Sequence, residues 1–146
     1  MYTSNDLVVN AVKMFATIHN IPLEKIAIGG GAAMMLMGQR SATEDLNLWI
    51  DHPHFDELAR KKDTLIHPMR DTFIAIPEIN VYVRKRNRYF KSVEIEGVQV
   101  FDVLALIIQK RGGHAEHQRP GDKRKQDALD LQYLAALHAH SNKVSA

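Results

Sequence analysis

The sequence predicts an α/β (α+β) fold: a mixed β-sheet flanked by helices and closed by a C-terminal helical pair. Three observations carry this. Apolar residues at helical spacing open the chain (Leu7, Val8, Ala11, Val12, Phe15, Ile18) and close it (Leu129, Leu131, Leu134, Leu137). The segment from Glu44 to Asp51 alternates strictly, with Leu46, Leu48 and Ile50 on one side and Asp45, Asn47, Trp49 and Asp51 on the other. The middle of the chain reads as successive short strands, giving the order α-β-α-β-α-β-β-β-β-α-α.

Each element has a local cause. Thr3 or Ser4 caps the first helix, and His19-Asn20-Ile21-Pro22 ends it. Ile26-Ala27-Ile28 is a short buried strand, and Ala32 to Met37 is a short helix closed by Gly38. Pro53 suits the first turn of a helix running to about Leu65. Thr72–Ile76 and Glu78–Val83 are strand-like and separated by Pro77. Glu96-Gly97 joins Lys91–Ile95 to Val98–Phe101 as a hairpin. Asp102 starts an apolar helix, Val103 to Arg111, which Gly112-Gly113 stops. A polar loop, His114 to Gly121, leads to Asp122 as the cap of the last helix. Residues 1–140 form a single domain, and Ser141–Ala146 is expected to fray.

The 146 residues suffice for one domain with a core. Cysteine is absent, which excludes disulfides, thiolate zinc sites and a cysteine nucleophile. No apolar run approaches the roughly 18–20 residues of a membrane span. Met1 to Asp6 lacks a basic region followed by an apolar stretch, so no signal peptide is read there and the expected location is cytoplasmic. A net charge of +2 does not by itself imply nucleic acid.

The chemistry concentrates in two stretches, Ile28-Gly29-Gly30-Gly31-Ala32-Ala33 and Arg40-Ser41-Ala42-Thr43-Glu44-Asp45-Leu46-Asn47-Leu48. A glycine turn lets backbone approach phosphate oxygens, and the helix start behind it offers free N–H groups. Carboxylates at i, i+2 on a strand point the same way and can share a pair of divalent cations. Strand, glycine turn, short helix and polar strand together resemble the nucleotidyltransferase (polymerase-beta-like) superfamily. The small abortive-infection-type and minimal members are the most similar. The resemblance runs from about Ile26 to Leu137.

It implies a nucleotidyltransferase-like fold and a set of roles. Gly29, Gly30 and Gly31 match the glycine turn, and Arg40 and Thr43 match a phosphate-clamping variant of the motif. Asp45 matches the first metal carboxylate, with Mg²⁺ and an NTP as the implied cofactors. The second and third acidic positions are taken by Asn47 and Asn80; Glu78 and Asp51, the nearest substitute charges, lie two or more residues off the expected spot. Lys110 matches a nucleotide-facing lysine. Asp127, within Lys125-Gln126-Asp127-Ala128-Leu129-Asp130-Leu131, matches a terminal acidic motif and is the base if the protein is active. Mg²⁺ sites rely on carboxylates plus substrate phosphates, so two amides in place of acids imply a weak or absent metal site.

Arg84, Lys85, Arg86, Arg88 and Lys91, interleaved with Tyr89 and Phe90, form a basic segment suited to RNA or DNA phosphates and unpaired bases. Its bland reading is a solvated hairpin loop. Arg119 with Lys123, Arg124 and Lys125 is a second basic cluster. Trp49 is read as strand packing, and His114-x-x-His117 as solvated loop histidines. Three functions stay open. The first is a pseudoenzyme binding a nucleotide, nucleic acid or protein partner. The second is an active NTP-dependent transferase modifying a protein hydroxyl or RNA end. The third is a structural module or inhibitor.

Overall fold

The computed structural model describes residues 1–61, 67–70, 73–88, 90–114 and 121–145. Helix α1 (Asn5–Ile18) begins where Ser4 turns extended and its hydroxyl accepts the Leu7 N–H at 3.2 Å. Such a cap contributes about 1 kcal/mol. The buried face is Val8, Val9, Val12, Phe15 and Ala16, while Leu7 and Ile18 are exposed. The helix is thus rotated from the expected stripe, with Val9 and Ala16 taking the place of its two ends.

Strand β1 (Ile26–Gly29) runs directly into α2 (Gly30–Leu36), and β2 (Leu46–Ile50) into α3 (His52–Arg60). Residues 62–65, expected to extend α3, lie outside the described residues, as does Thr72. Then come β3 (His67–Arg70), β4 (Phe73–Ile76), β5 (Val81–Lys85), β6 (Ser92–Ile95) and β7 (Val98–Phe101). Glu96 and Gly97 both have positive φ, the type I′ geometry that matches strand twist in a two-residue hairpin. Helices α4 (Val103–His114) and α5 (Gly121–Ser145) close the chain as a packed pair.

The seven strands form one mixed sheet in the order β3-β4-β5-β2-β1-β7-β6. β2 pairs antiparallel with β1 and parallel with β5. This register sets Asn47 level with Gly29 on one side and Tyr82 on the other. Leu46, Leu48 and Ile50 are fully buried with Ile26, Ile28 and Val83. On the opposite side Trp49 packs its ring 4.9 Å from that of Phe101, which is the packing role its position suggests.

Three local expectations are corrected. Gly112-Gly113 do not stop α4, which continues to His114. Each glycine costs roughly 1 kcal/mol in a helix, and packing against α5 outweighs that here. Asp122 lies in the first turn of α5, because the helix starts at Gly121. α5 itself runs from Gly121 to Ser145. Glu78–Asn80 is not strand: Pro77–Ile79 is a 3-10 turn and Asn80 is left-handed at φ 52°.

Candidate functional site

A cavity of about 590 Å³ opens where β2 enters the sheet beside the glycine turn. Gly30, Gly31, Arg40, Thr43, Asp45, Asn47, Lys110 and Asp127 all line it. Residues far apart in sequence therefore meet here. Phe73, Tyr82, Arg84 and Gln109 join them from β4, β5 and α4.

The glycines have separate reasons. Gly30 has φ +59°, the left-handed region that side chains avoid, and its absent Cβ would stand 3.1 Å from Asn47 Nδ2. A Cβ on Gly31 would collide with Thr43 Oγ1 and Arg40 Nη1. Gly29 does not line the cavity. It faces the core, where a Cβ would lie 2.5 Å from Trp49 Cζ3. Only two of the three glycines thus border the site, and the third clears room for tryptophan. The Gly30 N–H donates to Gln109 Oε1 at 3.1 Å, which ties the turn to α4.

The cationic side of the cavity joins α4, α5 and the loop between α2 and β2. Lys110 is 6% exposed, and its Nζ lies 3.0 Å from Asp130 Oδ2 and 3.5 Å from Asp127 Oδ1. Arg40 Nη2 donates to the same Asp130 Oδ2 at 2.6 Å, and Gln126 Nε2 donates to Oδ1 at 2.9 Å. Burial alone would raise the Asp130 carboxyl. Lys110, Gln126 and Arg40 outweigh it and hold the group below its ordinary value. Asp130 is thus the hub that fixes both cations.

Asp127, Asp130 and Leu134 occupy the buried face of α5, while Leu129 is 56% exposed. The expected leucine stripe is displaced because two carboxylates take inward positions. Their i, i+3 spacing next to Lys110 was the signal for this, and the role of Asp130 as hub was missed from sequence.

The sheet side is different. Thr43 is buried and donates to the Asp45 carbonyl at 3.3 Å. Tyr2 pairs with Thr43 as an isolated bridge and donates its hydroxyl to the Ile79 carbonyl at 3.0 Å. Burial, and then the charge of Asp45, raises the Tyr2 phenol. This clasp sets the loop that presents Asp45. Asn47 Nδ2 donates to Asp45 Oδ1 at 3.3 Å.

Asn80 is not at the third acidic position. It is exposed, sits in the left-handed turn before β5, and does not line the cavity. The strand residue level with Asn47 is Tyr82. Neither expected substitute supplies charge to Asp45. Asp51 caps the far end of β2 and binds His54 Nδ1 at 2.7 Å, and Glu78 is exposed in the 3-10 turn. The three positions are therefore a carboxylate, an amide donating to that carboxylate, and a phenol. These three positions supply one anionic group, where a pair of divalent cations draws on several anionic oxygens. Among the described residues, no group of three or more His, Cys, Asp or Glu side chains is placed to hold a metal ion.

The basic segment is not one surface. Strand alternation sends Arg84 to the cavity side, where it lies 4.5 Å from the Phe73 ring centroid. Lys85 points the other way and binds Asp56 at 3.1 Å. Arg86 donates to the Phe90 carbonyl and to Ser92 Oγ, and burial lowers its guanidinium. Arg88 and Lys91 are exposed. Tyr89, His117 and Arg119, and the side chains of Lys123 and Arg124, lie outside the described residues.

No protein-family model matches the sequence, and no curated protein matches it significantly. Solved structures do match. The crystal structure of JHP933 from Helicobacter pylori aligns at TM-score 0.52 and 19% identity, over 88% of this chain and 66% of that one. The Megavirus polyadenylate synthase aligns at TM-score 0.51 and 16% identity, over 89% of this chain and 30% of that one. The chain thus spans just under two thirds of the first protein and less than a third of the second. At these identities the likeness is one of fold alone, a mixed sheet with flanking helices. Among the described residues, no helix is long and apolar enough to cross a membrane.

Proposed function

We propose that this chain binds a nucleotide in the cavity beside the glycine turn, with a metal site reduced to the single carboxylate of Asp45. The observation that carries this reading is the convergence of Gly30, Gly31, Arg40, Thr43 and Lys110 on one cavity beside an Asp45–Asn47–Tyr82 row. The phosphate belongs at the first group. Arg40 is 20% exposed while anchored to Asp130, so it is oriented before a ligand arrives. A cavity of this size is ordinary for a small-molecule site.

Calorimetry with AMP and ATP, each in EDTA and again with Mg²⁺, tests the reading. Binding in EDTA is expected. Arg40→Gln keeps a hydrogen bond toward Asp130 but removes the charge, and it should weaken binding. Failure of every nucleotide to bind in either buffer would refute the proposal.

An active transferase is the second reading. It is favoured by the Asp127 carboxylate, which lines the same cavity as Asp45 and lies 3.5 Å from Lys110 Nζ. Transfer of label from an NTP to protein or RNA, lost in Asp45→Ala, would establish it. A nucleic-acid role for Arg84 to Lys91 has less support, because Lys85 and Arg86 already have partners within the chain.

A further inference from the structure

The cavity has an aromatic end that neither the glycine turn nor the cations explain. The rings of Phe73 on β4 and Tyr82 on β5 stack with centroids 5.7 Å apart and planes 14° apart. Arg84 caps the same group, with its guanidinium carbon 4.5 Å from the Phe73 centroid and 5.8 Å from that of Trp49. Phe73, Tyr82 and Arg84 all border the cavity. Stacked planar groups beside a guanidinium form a surface that attracts another flat π-system.

Charge around the cavity points the same way. The acidic and basic side chains of its lining are Arg40, Arg84 and Lys110 against Glu44, Asp45, Asp122 and Asp127. Three cations against four carboxylates give no surplus positive field for a highly charged polyphosphate. A ligand with a single phosphate suits this balance better, and its affinity then rests largely on the ring.

The layout matches the shape of such a ligand. Gly30 follows β1, Asp45 and Asn47 belong to β2 and the loop before it, and Tyr82 lies on β5. Going from β1 to β5 crosses two strand spacings, about 10 Å. That is a span a mononucleotide bridges from phosphate to base.

We propose that the ligand is a nucleoside monophosphate whose base stacks on the Tyr82–Phe73 pair beside Arg84. Its ribose hydroxyls are accepted by Asp45, and its phosphate sits at Gly30, Gly31 and Arg40. This rests on the nucleotide-binding reading above and adds the orientation and the ligand class. Asp45 then serves as a ribose acceptor, a use of carboxylates known at other nucleotide sites. Tyr82, at the position level with Asn47, becomes a base platform.

The test compares AMP with ribose 5-phosphate, its base-free counterpart, in EDTA. It uses the wild-type chain and the Tyr82→Leu, Tyr82→Phe and Phe73→Leu variants. Base–aromatic stacking is worth about 5- to 150-fold in affinity per base. Wild type should bind AMP more tightly than ribose 5-phosphate by a factor in that range. Tyr82→Leu and Phe73→Leu should reduce the factor without altering ribose 5-phosphate binding. Tyr82→Phe, which keeps the ring, should retain it. Unchanged ribose 5-phosphate binding also shows that each variant folds. Equal wild-type affinity for the two ligands, or an AMP preference indifferent to both leucine variants, overturns the stacking proposal and leaves the nucleotide-binding reading intact. Absence of binding by either ligand and by ATP overturns both.

Discussion

The two walls of the cavity treat charge in opposite ways. On the α4–α5 wall, Asp127 and Asp130 are buried and bonded to Lys110, and Asp130 also to Arg40, so charge is paired within the protein. On the β2–β5 wall, Asp45 faces the cavity beside an amide and a phenol. The first wall keeps its ions because removing any one strands another in a poorly solvated place. The second has no such interlock, so acids there can be exchanged for neutral groups with little harm to the fold.

The largest effect should come from the paired wall. Asp130→Ala leaves Lys110 and Arg40 without their shared acceptor and should cost about 3–5 kcal/mol, read from denaturant unfolding. Adding Lys110→Met should recover part of the loss. A cost below 1 kcal/mol would show that this wall is no more interlocked than the other.

The same wall should set the acid limit of stability. The Asp130 carboxyl lies below its ordinary value of 3.8 in the folded state. Its contribution is therefore complete above the unfolded value and disappears as pH falls through the lower folded value. Melting temperature against pH should drop below about pH 4 in wild type. Asp130→Asn should be lower throughout and flatter in that window. Parallel curves would contradict the assignment.

Gly29 tests where the glycine run stops belonging to the cavity. Gly29→Ala places a methyl 2.5 Å from buried Trp49 and 3.0 Å from Phe101 Cδ2. Overpacking of this kind costs about 1–3 kcal/mol. Gly31→Ala instead displaces Arg40 and Thr43, so it should impair nucleotide binding more than stability.

The smallest effect should separate the two asparagines. Asn47→Asp sets a second carboxylate beside Asp45. It should raise Mn²⁺ affinity and destabilise the metal-free chain on the order of 1 kcal/mol, as for one like-charge contact near solvent. Asn80→Asp, on the exposed turn, should do neither. Equal gains in Mn²⁺ affinity from the two substitutions would place Asn80 at the site after all.

Much of this was readable from local chemistry. The alternation around Asn47 fixed which side chains share the face with Asp45. Ser4 and the Glu96-Gly97 pair are turn and cap signals that depend on few neighbours. Lys110 and Asp127, given roles only by resemblance, do meet at the cavity.

The misplaced residues share a different cause. Asn80 reads as strand because Ile79 and Val81 flank it, yet Pro77 starts a 3-10 turn and asparagine tolerates the left-handed conformation that ends it. Leu129 reads as core until Asp127 and Asp130 find buried partners from distant helices and loops. The five basic residues from Arg84 to Lys91 read as one patch only if the strand's alternation is ignored. Each error arises where tertiary pairing overrides a local preference, which a linear reading does not contain.

The most direct test of the central claim is titration of AMP into the chain in EDTA, repeated with Mg²⁺. Saturable binding of equal strength in the two buffers, weakened by Arg40→Gln, is the result expected of a nucleotide site that no longer depends on a metal pair. Binding that appears only with Mg²⁺ and an NTP, accompanied by nucleotidyl transfer that Asp45→Ala abolishes, would contradict it.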